Sequence, residues 1–171
     1  MATPSPSAAI AHLYRRAGFG ATATELSAAT KAGYSATVSN LVAGLGAPDP
    51  AADAVPVPNF TMPIANLTQL RDNDLAAYQA YQKQLAAEHP ELVTWWLGRM
   101  LATTQPLAEK LTFLLHGHLP TAISKVRYSA FMYRQNQLFR TEGWGDFPSF
   151  MEQVSADPAM LIWLDADQDK A

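Results

Sequence analysis

The clearest indication of the fold is Glu91-Leu92-Val93-Thr94-Trp95-Trp96-Leu97-Gly98-Arg99-Met100-Leu101. Apolar side chains recur in this segment at intervals of three and four residues, which is the spacing of one face of an α-helix. Pro90 precedes the segment, and proline is favoured in the first turn of a helix. We therefore expect a helix that begins near Pro90 and turns an apolar stripe towards the core. The stripe consists of Leu92, Val93, Trp96, Leu97, Met100 and Leu101.

Helical spacing continues on both sides of this segment. Residues 64–88 are rich in Ala, Gln and Leu and predict another helix, and Pro106 begins a further one. Shorter helices are expected before residue 46 and after residue 127, and the alternation typical of strands is absent. The sequence therefore predicts an all-α, multi-helix, bundle-like fold in which residues 1–171 form a single domain. In the helix from Pro106 the expected inward residues are Leu107, Leu111, Leu114 and Leu115.

Residues 47–63 interrupt the helical pattern. Five prolines fall in this span, at positions 48, 50, 56, 58 and 63, and the apolar residues show no period. Because proline fixes φ and removes a backbone donor, this density predicts one long proline-rich loop. The sequence leaves open whether packing orders the loop or whether it is an insertion.

Composition narrows the classes of function. The 171 residues include no cysteine, which excludes disulfides, thiolate metal sites and cysteine nucleophiles. The formal net charge is −3, so no field of the whole molecule would attract nucleic acid. No apolar run reaches the roughly 18 residues of a membrane span. Arg15-Arg16 lacks the apolar segment of an export signal, so the chain as written is expected to be cytoplasmic, or exported if a signal was removed.

His116-Gly117-His118 is the strongest candidate for a reaction centre. Imidazole is the side chain most used for metal ligation and for proton transfer near neutral pH. Residues two apart on a regular helix point about 200° away from each other. Both rings would therefore reach one divalent metal ion only if the backbone bends after Leu115. Glu109, seven residues before His116, would then complete or orient the ligand set from nearly the same face.

The same residues also have a structural interpretation. Histidines at the end of a helix interact with its free carbonyl groups and with the negative end of its dipole. Glu109 would then pair with an arginine such as Arg99 across a helix interface. The spacing of His116 and His118 does not decide between the two interpretations.

Two other pairs are candidate binding residues. Arg15 and Arg16 precede Gly18-Phe19-Gly20, and a guanidinium beside a flexible turn suits a phosphate or a carboxylate. Gln135 and Asn136 lie among aromatic residues, where buried amides need hydrogen-bond partners and one use for them is substrate contact. Structural alternatives remain in both cases: the arginines tie helices together, and the amides hold a helix against a loop.

Six blocks occur along the chain in a characteristic order: HLYRRAGFG (12–20), WWLGRML (95–101), PLAEK (106–110), HGH (116–118), QN (135–136) and DPAML with WLD (157–165). Together they resemble the bacterial family known as domain of unknown function 1800, over nearly the whole chain. The resemblance implies a mainly helical protein. Many members are much longer, so this chain resembles an N-terminal portion. It departs from the family at Leu119, where an aromatic residue is usual.

The resemblance implies no established activity, and two hypotheses follow. In the first, the chain is part of a metal-dependent hydrolase, with His116 and His118 as ligands or proton carriers, Glu109 in support and a divalent metal as cofactor. In the second, it is a non-catalytic helical scaffold or protein-interaction module. Under either hypothesis the expected partner is the missing C-terminal portion of the same protein or a separate partner protein.

Overall fold

Helices account for most of residues 4–166, which are the residues that the computed structural model describes. The expected all-α class is confirmed, because this part of the chain contains no strand. None of its helices is both long enough and apolar enough to cross a bilayer. The helices are α1 (Pro6–Ala17), α2 (Ala23–Ala32), α3 (Tyr34–Ala43), α4 (Pro50–Asp53), α5 (Leu67–Asn73), α6 (Leu75–Ala102), α7 (Pro106–His118), α8 (Ile123–Val126), α9 (Ser129–Glu142), α10 (Phe147–Ser155) and α11 (Pro158–Trp163).

Side-chain caps fix where several helices begin. Thr22 and Glu25 form the capping box that precedes α2: Thr22 N donates to Glu25 Oε2 at 2.7 Å, and Glu25 N donates to Thr22 Oγ1 at 3.2 Å. Each cap satisfies N–H groups that helix geometry leaves without a partner. Aspartates cap four other helices, namely α4, α6, α10 and α11, through Asp49, Asp74, Asp146 and Asp157.

Helix α6 differs from the expected boundaries. The sequence predicted one helix over residues 64–88 and a second from Pro90, but α5 ends at Asn73 and α6 continues through Pro90 without a break. Asp74, which caps α6, sets the actual boundary. A proline inside a helix costs about 3 kcal/mol. Burial on both sides of Pro90 offsets this cost, through Leu85, Glu88, Trp95 and Arg99.

Only part of the apolar stripe of α6 faces the core, which corrects the expectation: Leu92, Trp96 and Met100 are partly buried. Val93, Leu97 and Leu101 are each more than half exposed. The inner face carries Trp95 and Arg99 instead, and both are buried. Arginine is classed as polar whatever its partners are, so a pattern of apolar residues does not predict that Arg99 faces inward. Leu114 of α7, also expected to point inward, is likewise exposed.

An apolar core lies where α7, α9, α10 and α11 meet. The rings of Phe139 and Phe150 pack edge to face there, with centroids 5.7 Å apart, an arrangement that aromatic pairs favour. The core thus supports the C-terminal half of α7, where His116 follows the buried Leu115. Its buried members are Leu115, Phe139, Phe150, Val154 and Met160.

Buried carboxylates order the proline-rich residues 47–63. Asp49 accepts from Thr104 N at 3.2 Å and from Thr104 Oγ1 at 2.9 Å. Glu88, which is fully buried on α6, accepts from Thr61 N at 3.0 Å and from Thr61 Oγ1 at 2.5 Å. The segment is therefore held near both of its ends, and it includes the short helix α4, which the sequence did not predict.

We expect Glu88→Gln to loosen this segment. Glutamine offers one acceptor oxygen where the carboxylate offers two, so a buried donor of Thr61 loses its partner at a cost of about 1 to 3 kcal/mol. The exchange rate of the Thr61 amide and the free energy of unfolding in urea measure the effect. Glu91→Gln, at an exposed position of the same helix, is the control. Unchanged Thr61 exchange in a folded Glu88→Gln variant would contradict this role.

Candidate functional site

The carboxylate of Glu109 is the centre of a buried polar cluster, which we call the Glu109 cluster. Oε1 accepts from Arg140 Nε at 2.7 Å and from Arg99 Nε at 3.3 Å. Oε2 accepts from Arg140 Nη2 at 3.0 Å and from Trp96 Nε1 at 3.1 Å. Glu109 itself is 1% exposed. One carboxylate of α7 therefore meets donors from both α6 and α9, and Arg140 binds it in the forked geometry that guanidinium and carboxylate groups favour.

Arg99 extends the cluster to the proline-rich segment. Its Nη1 donates to Ala52 O at 3.0 Å and to Asp53 Oδ1 at 3.1 Å. The side chain of Asp53 is 63% exposed, whereas those of Arg99 and Glu109 are almost completely buried. Water screens the outer ion pair, so the contact of Arg99 with Glu109 matters more for stability. The sequence suggested Arg99 as a partner of Glu109 but did not single out Asp53.

Arg140 is another member of the cluster that the sequence did not single out. Its Nη2 donates to Asn136 Oδ1 at 2.7 Å, and its Nη1 donates to Gln137. The indole of Trp95 lies near both guanidinium groups, 5.6 Å from Arg140 Cζ and 5.8 Å from Arg99 Cζ. These cation–π contacts favour the close approach of two like charges. The available signal was the four-residue spacing of Asn136 and Arg140, which places them on one face of a helix.

His116 lies between the aromatic rings of Trp96 and Phe139, with centroid distances of 4.7 Å and 4.8 Å. Asn136 Nδ2 is 3.1 Å from His116 Nε2. Because Asn136 Oδ1 accepts from Arg140, its amide group donates to Nε2, and the ring proton is assigned to Nδ1. Burial and, secondly, the positive charge of Arg140 lower the pKa of His116 from 6.5 to about 4. The imidazole is therefore neutral near pH 7.

The structure does not bring His116 and His118 together. The bend after Leu115 that ligation of one metal ion by both rings would need is absent, since α7 stays helical through His118 and Leu119 N donates to Leu115 O at 2.7 Å. The two side chains leave the helix about 200° apart, and His118 is exposed. Between residues 4 and 166 no three His, Asp or Glu side chains are grouped closely enough to hold a metal ion. Metal ligation by this pair would require the last turn of α7 to unwind.

Gln135 makes different contacts from its neighbour Asn136. Its Oε1 accepts from Thr121 Oγ1 at 2.5 Å, and its Nε2 donates to Asp157 Oδ2 at 3.1 Å. Asp157 Oδ2 also caps α11 by accepting from Ala159 N at 3.0 Å. Burial raises the pKa of Asp157 even though these hydrogen bonds oppose the effect. Gln135 therefore links α9 to the loop before α8 and to the start of α11.

Arg15 and Arg16 are not part of the Glu109 cluster. Both are exposed in the last turn of α1, where positive charge interacts favourably with the helix dipole. The end of α1 packs closely on the start of α7, because a Cβ on Gly18 would lie 3.0 Å from Pro106 Cβ. This close contact explains a glycine at position 18 and fixes where the two arginines project.

Chemically, the Glu109 cluster is suited to holding charge in place. Both carboxylate oxygens of Glu109 accept from protein donors, and His116 Nε2 is occupied by Asn136. A general base or a metal ligand needs a lone pair that substrate or metal can reach. The arrangement therefore fixes α6, α7 and α9 relative to one another.

Replacing the central carboxylate should destabilise the protein strongly. Glu109→Gln removes the charge that compensates two buried guanidinium groups, and breaking a buried pair in this way costs about 3 to 5 kcal/mol. Urea unfolding followed by tryptophan fluorescence measures the loss. Glu142→Gln, at an exposed position of α9, is the control and should change the free energy of unfolding by about 0.5 kcal/mol or less. Equal stability of the two variants would show that Glu109 is not a structural centre.

The low pKa of His116 predicts how the stability of the protein depends on pH. The imidazole of His116 takes up a proton near pH 6.5 in the unfolded chain but only near pH 4 in the folded chain. The free energy of unfolding therefore decreases as the pH falls between these values. From pH 7.5 to 4.5 the contribution of His116 is on the order of 2 to 3 kcal/mol. Urea unfolding at both pH values should therefore show a smaller loss in His116→Gln than in His118→Gln. The prediction is wrong if the two variants lose stability equally.

Comparison with known proteins gives one match. A family model described as "Protein of unknown function (DUF1800)" matches residues 12–171. The matched range includes Arg15 and Arg16, the whole Glu109 cluster and both histidines of α7. No curated protein and no solved structure matches the sequence.

Proposed function

The chain belongs to the family of proteins of unknown function DUF1800, and from this premise we propose that it is a non-catalytic helical module that binds another protein surface. The observation that carries the proposal is an exposed apolar surface on α6 and α7, two helices that the Glu109 cluster holds together. The partner surface belongs to a C-terminal continuation of the same chain or to a separate protein.

The α6–α7 surface combines apolar side chains from both helices and from the loop after α1. Val93, Leu97 and Leu101 are four residues apart and share one side of α6. Phe113 joins them through Trp96, at a centroid distance of 6.1 Å, and Phe19 lies 6.5 Å from Phe113. Exposed patches of contiguous apolar side chains commonly mark interaction sites. The members, which are 46% to 89% exposed, are Phe19, Val93, Leu97, Leu101 and Phe113.

Positive charge borders one end of the α6–α7 surface. Lys110 Nζ lies 5.1 Å from the ring centroid of Phe19 and 6.0 Å from that of Phe113. Arg15 and Arg16 are exposed in the turn of helix that leads to Phe19. The chain as a whole is negative, so this local excess of cations favours a partner with acidic residues around its apolar anchors. Arginine and aromatic residues are also enriched at interfaces.

The geometry of the predicted reaction centre supports a non-catalytic module over a metal-dependent hydrolase. Both carboxylate oxygens of Glu109 accept from protein donors, and His116 is neutral and half-buried beside Asn136. His118 projects from the other side of α7. These groups hold helices in place, whereas Leu97 and Leu101 of α6 are more than half exposed.

Site-specific photo-crosslinking of the full gene product in its source cells tests the proposal. A benzophenone amino acid at position 97 lies in the α6–α7 surface, and one at position 91 occupies an exposed site on another side of α6. We expect a discrete crosslink from position 97 and none from position 91, because only the first touches the partner. Mass spectrometry assigns the linked peptide either to the same chain or to a second protein.

A charge-reversal variant makes the experiment specific. Arg15→Glu with Arg16→Glu should lower the crosslink yield from position 97 several-fold, since the partner is expected to present acidic residues. The crosslinked peptide should itself be flanked by Asp or Glu. A position-97 yield no higher than that of position 91 would contradict the proposal, and so would a yield insensitive to the charge reversal.

A further inference from the structure

A cavity of about 420 Å³ lies beside His116, between α6, α7, α8 and α9. We call it the His116 pocket. Ligand pockets in proteins usually measure about 300 to 1,000 Å³, so the cavity has room for a small molecule. Most of its wall is apolar, and the residues that contribute are Leu92, Val93, Trp96, Ile123 and Met132.

The polar side chains that line the His116 pocket are His89, His116, Thr121 and Asn136. Thr121 already donates to Gln135, and Asn136 is held between Arg140 and His116. No Asp, Glu, Lys or Arg is among the lining residues of the described chain. A charged ligand would therefore leave water without gaining a direct counter-ion, which is costly. The lining favours a neutral ligand.

His116 supplies a hydrogen-bond donor to the lining of the pocket, whereas the ring of His89 contacts Arg127 O through Nε2 at 3.3 Å. The contact with Asn136 occupies His116 Nε2, so the ring proton is on Nδ1. Within residues 4–166 Nδ1 meets no acceptor, and it is not among the fully buried atoms that lack a partner. An apolar cavity with one such donor matches a ligand that carries a single acceptor.

We propose that the His116 pocket binds a neutral, largely apolar small molecule whose carbonyl oxygen accepts a hydrogen bond from His116 Nδ1. The pocket shares only Val93 with the α6–α7 surface as defined above, so the two proposals stand or fall separately. The proposal also gives a role in ligand binding to the imidazole of His116, which is not one of the donors to Glu109.

Binding of Prodan to the intact chain tests the proposal. Prodan is a neutral naphthalene with one carbonyl group, and its emission shifts to the blue in apolar surroundings. We expect saturable one-to-one binding with a blue shift. In methyl NMR spectra, saturation should shift the signals of Ile123 and Met132, which line the pocket, and leave the highly exposed Leu101 unshifted.

Three variants separate the pocket from the neighbouring surface. Ile123→Trp fills the cavity and should weaken Prodan binding about tenfold or more. His116→Phe keeps the ring but removes the donor, and should weaken Prodan about tenfold while leaving N-phenyl-1-naphthylamine, which has no carbonyl group, unaffected. Leu101→Asn removes apolar area outside the pocket and should leave Prodan binding unchanged.

Several results would overturn the proposal. One is Prodan binding that a folded Ile123→Trp variant retains in full, and another is binding that Leu101→Asn abolishes. Equal weakening of both probes by His116→Phe would reject the hydrogen bond to the carbonyl oxygen. If Ile123→Trp does not fold, the methyl spectra of the unaltered chain decide: unshifted Ile123 and Met132 signals at saturation reject the pocket.

Discussion

The carboxylate of Glu109 is the constraint on which the arrangement of the central helices depends. Guanidinium groups from α6 and α9 converge on it from two sides, and the indole N–H of Trp96 completes its contacts. A buried ion cluster is stabilising only when every member is paired, because an uncompensated charge in the interior costs several kcal/mol. The three helices therefore have little freedom to shift without exposing one of these charges to an apolar interior. This requirement fixes which side of α6 faces inward.

Sequence patterns predicted the all-α class and a helix that begins at Pro106, because these depend on local chemistry. They failed where tertiary contacts override local preference. Pro90 lies inside α6, since burial on both sides of it outweighs the local penalty. The inner face of α6 was misassigned because Arg99 is buried by partners distant in the sequence. At the candidate site, Glu109 and Asn136 were found, but Arg140 was missed, since only the fold brings α9 against α7.

The position of α6 has a functional consequence. With Trp95 and Arg99 turned inward, half of the apolar stripe that the sequence assigned to the core is left exposed, namely Val93, Leu97 and Leu101. The same geometry places the half-buried His116 beside Asn136 and Arg140, which keeps the imidazole neutral and separates it from His118. Ion pairing in the interior thus accounts for the exposed apolar surface, and the lining of the His116 pocket contains no Asp, Glu, Lys or Arg. A protein-binding module with a small-molecule pocket follows more directly from these features than a metal centre does.

A double-mutant cycle with Arg99→Met and Arg140→Met measures the central claim most directly. Each single variant leaves Glu109 with one guanidinium partner, whereas the double variant leaves its charge buried without compensation. The loss of unfolding free energy in the double variant should therefore exceed the sum of the single losses by about 1 to 3 kcal/mol. Additive losses would show that the two arginines act independently, and that Glu109 does not organise the helices around it.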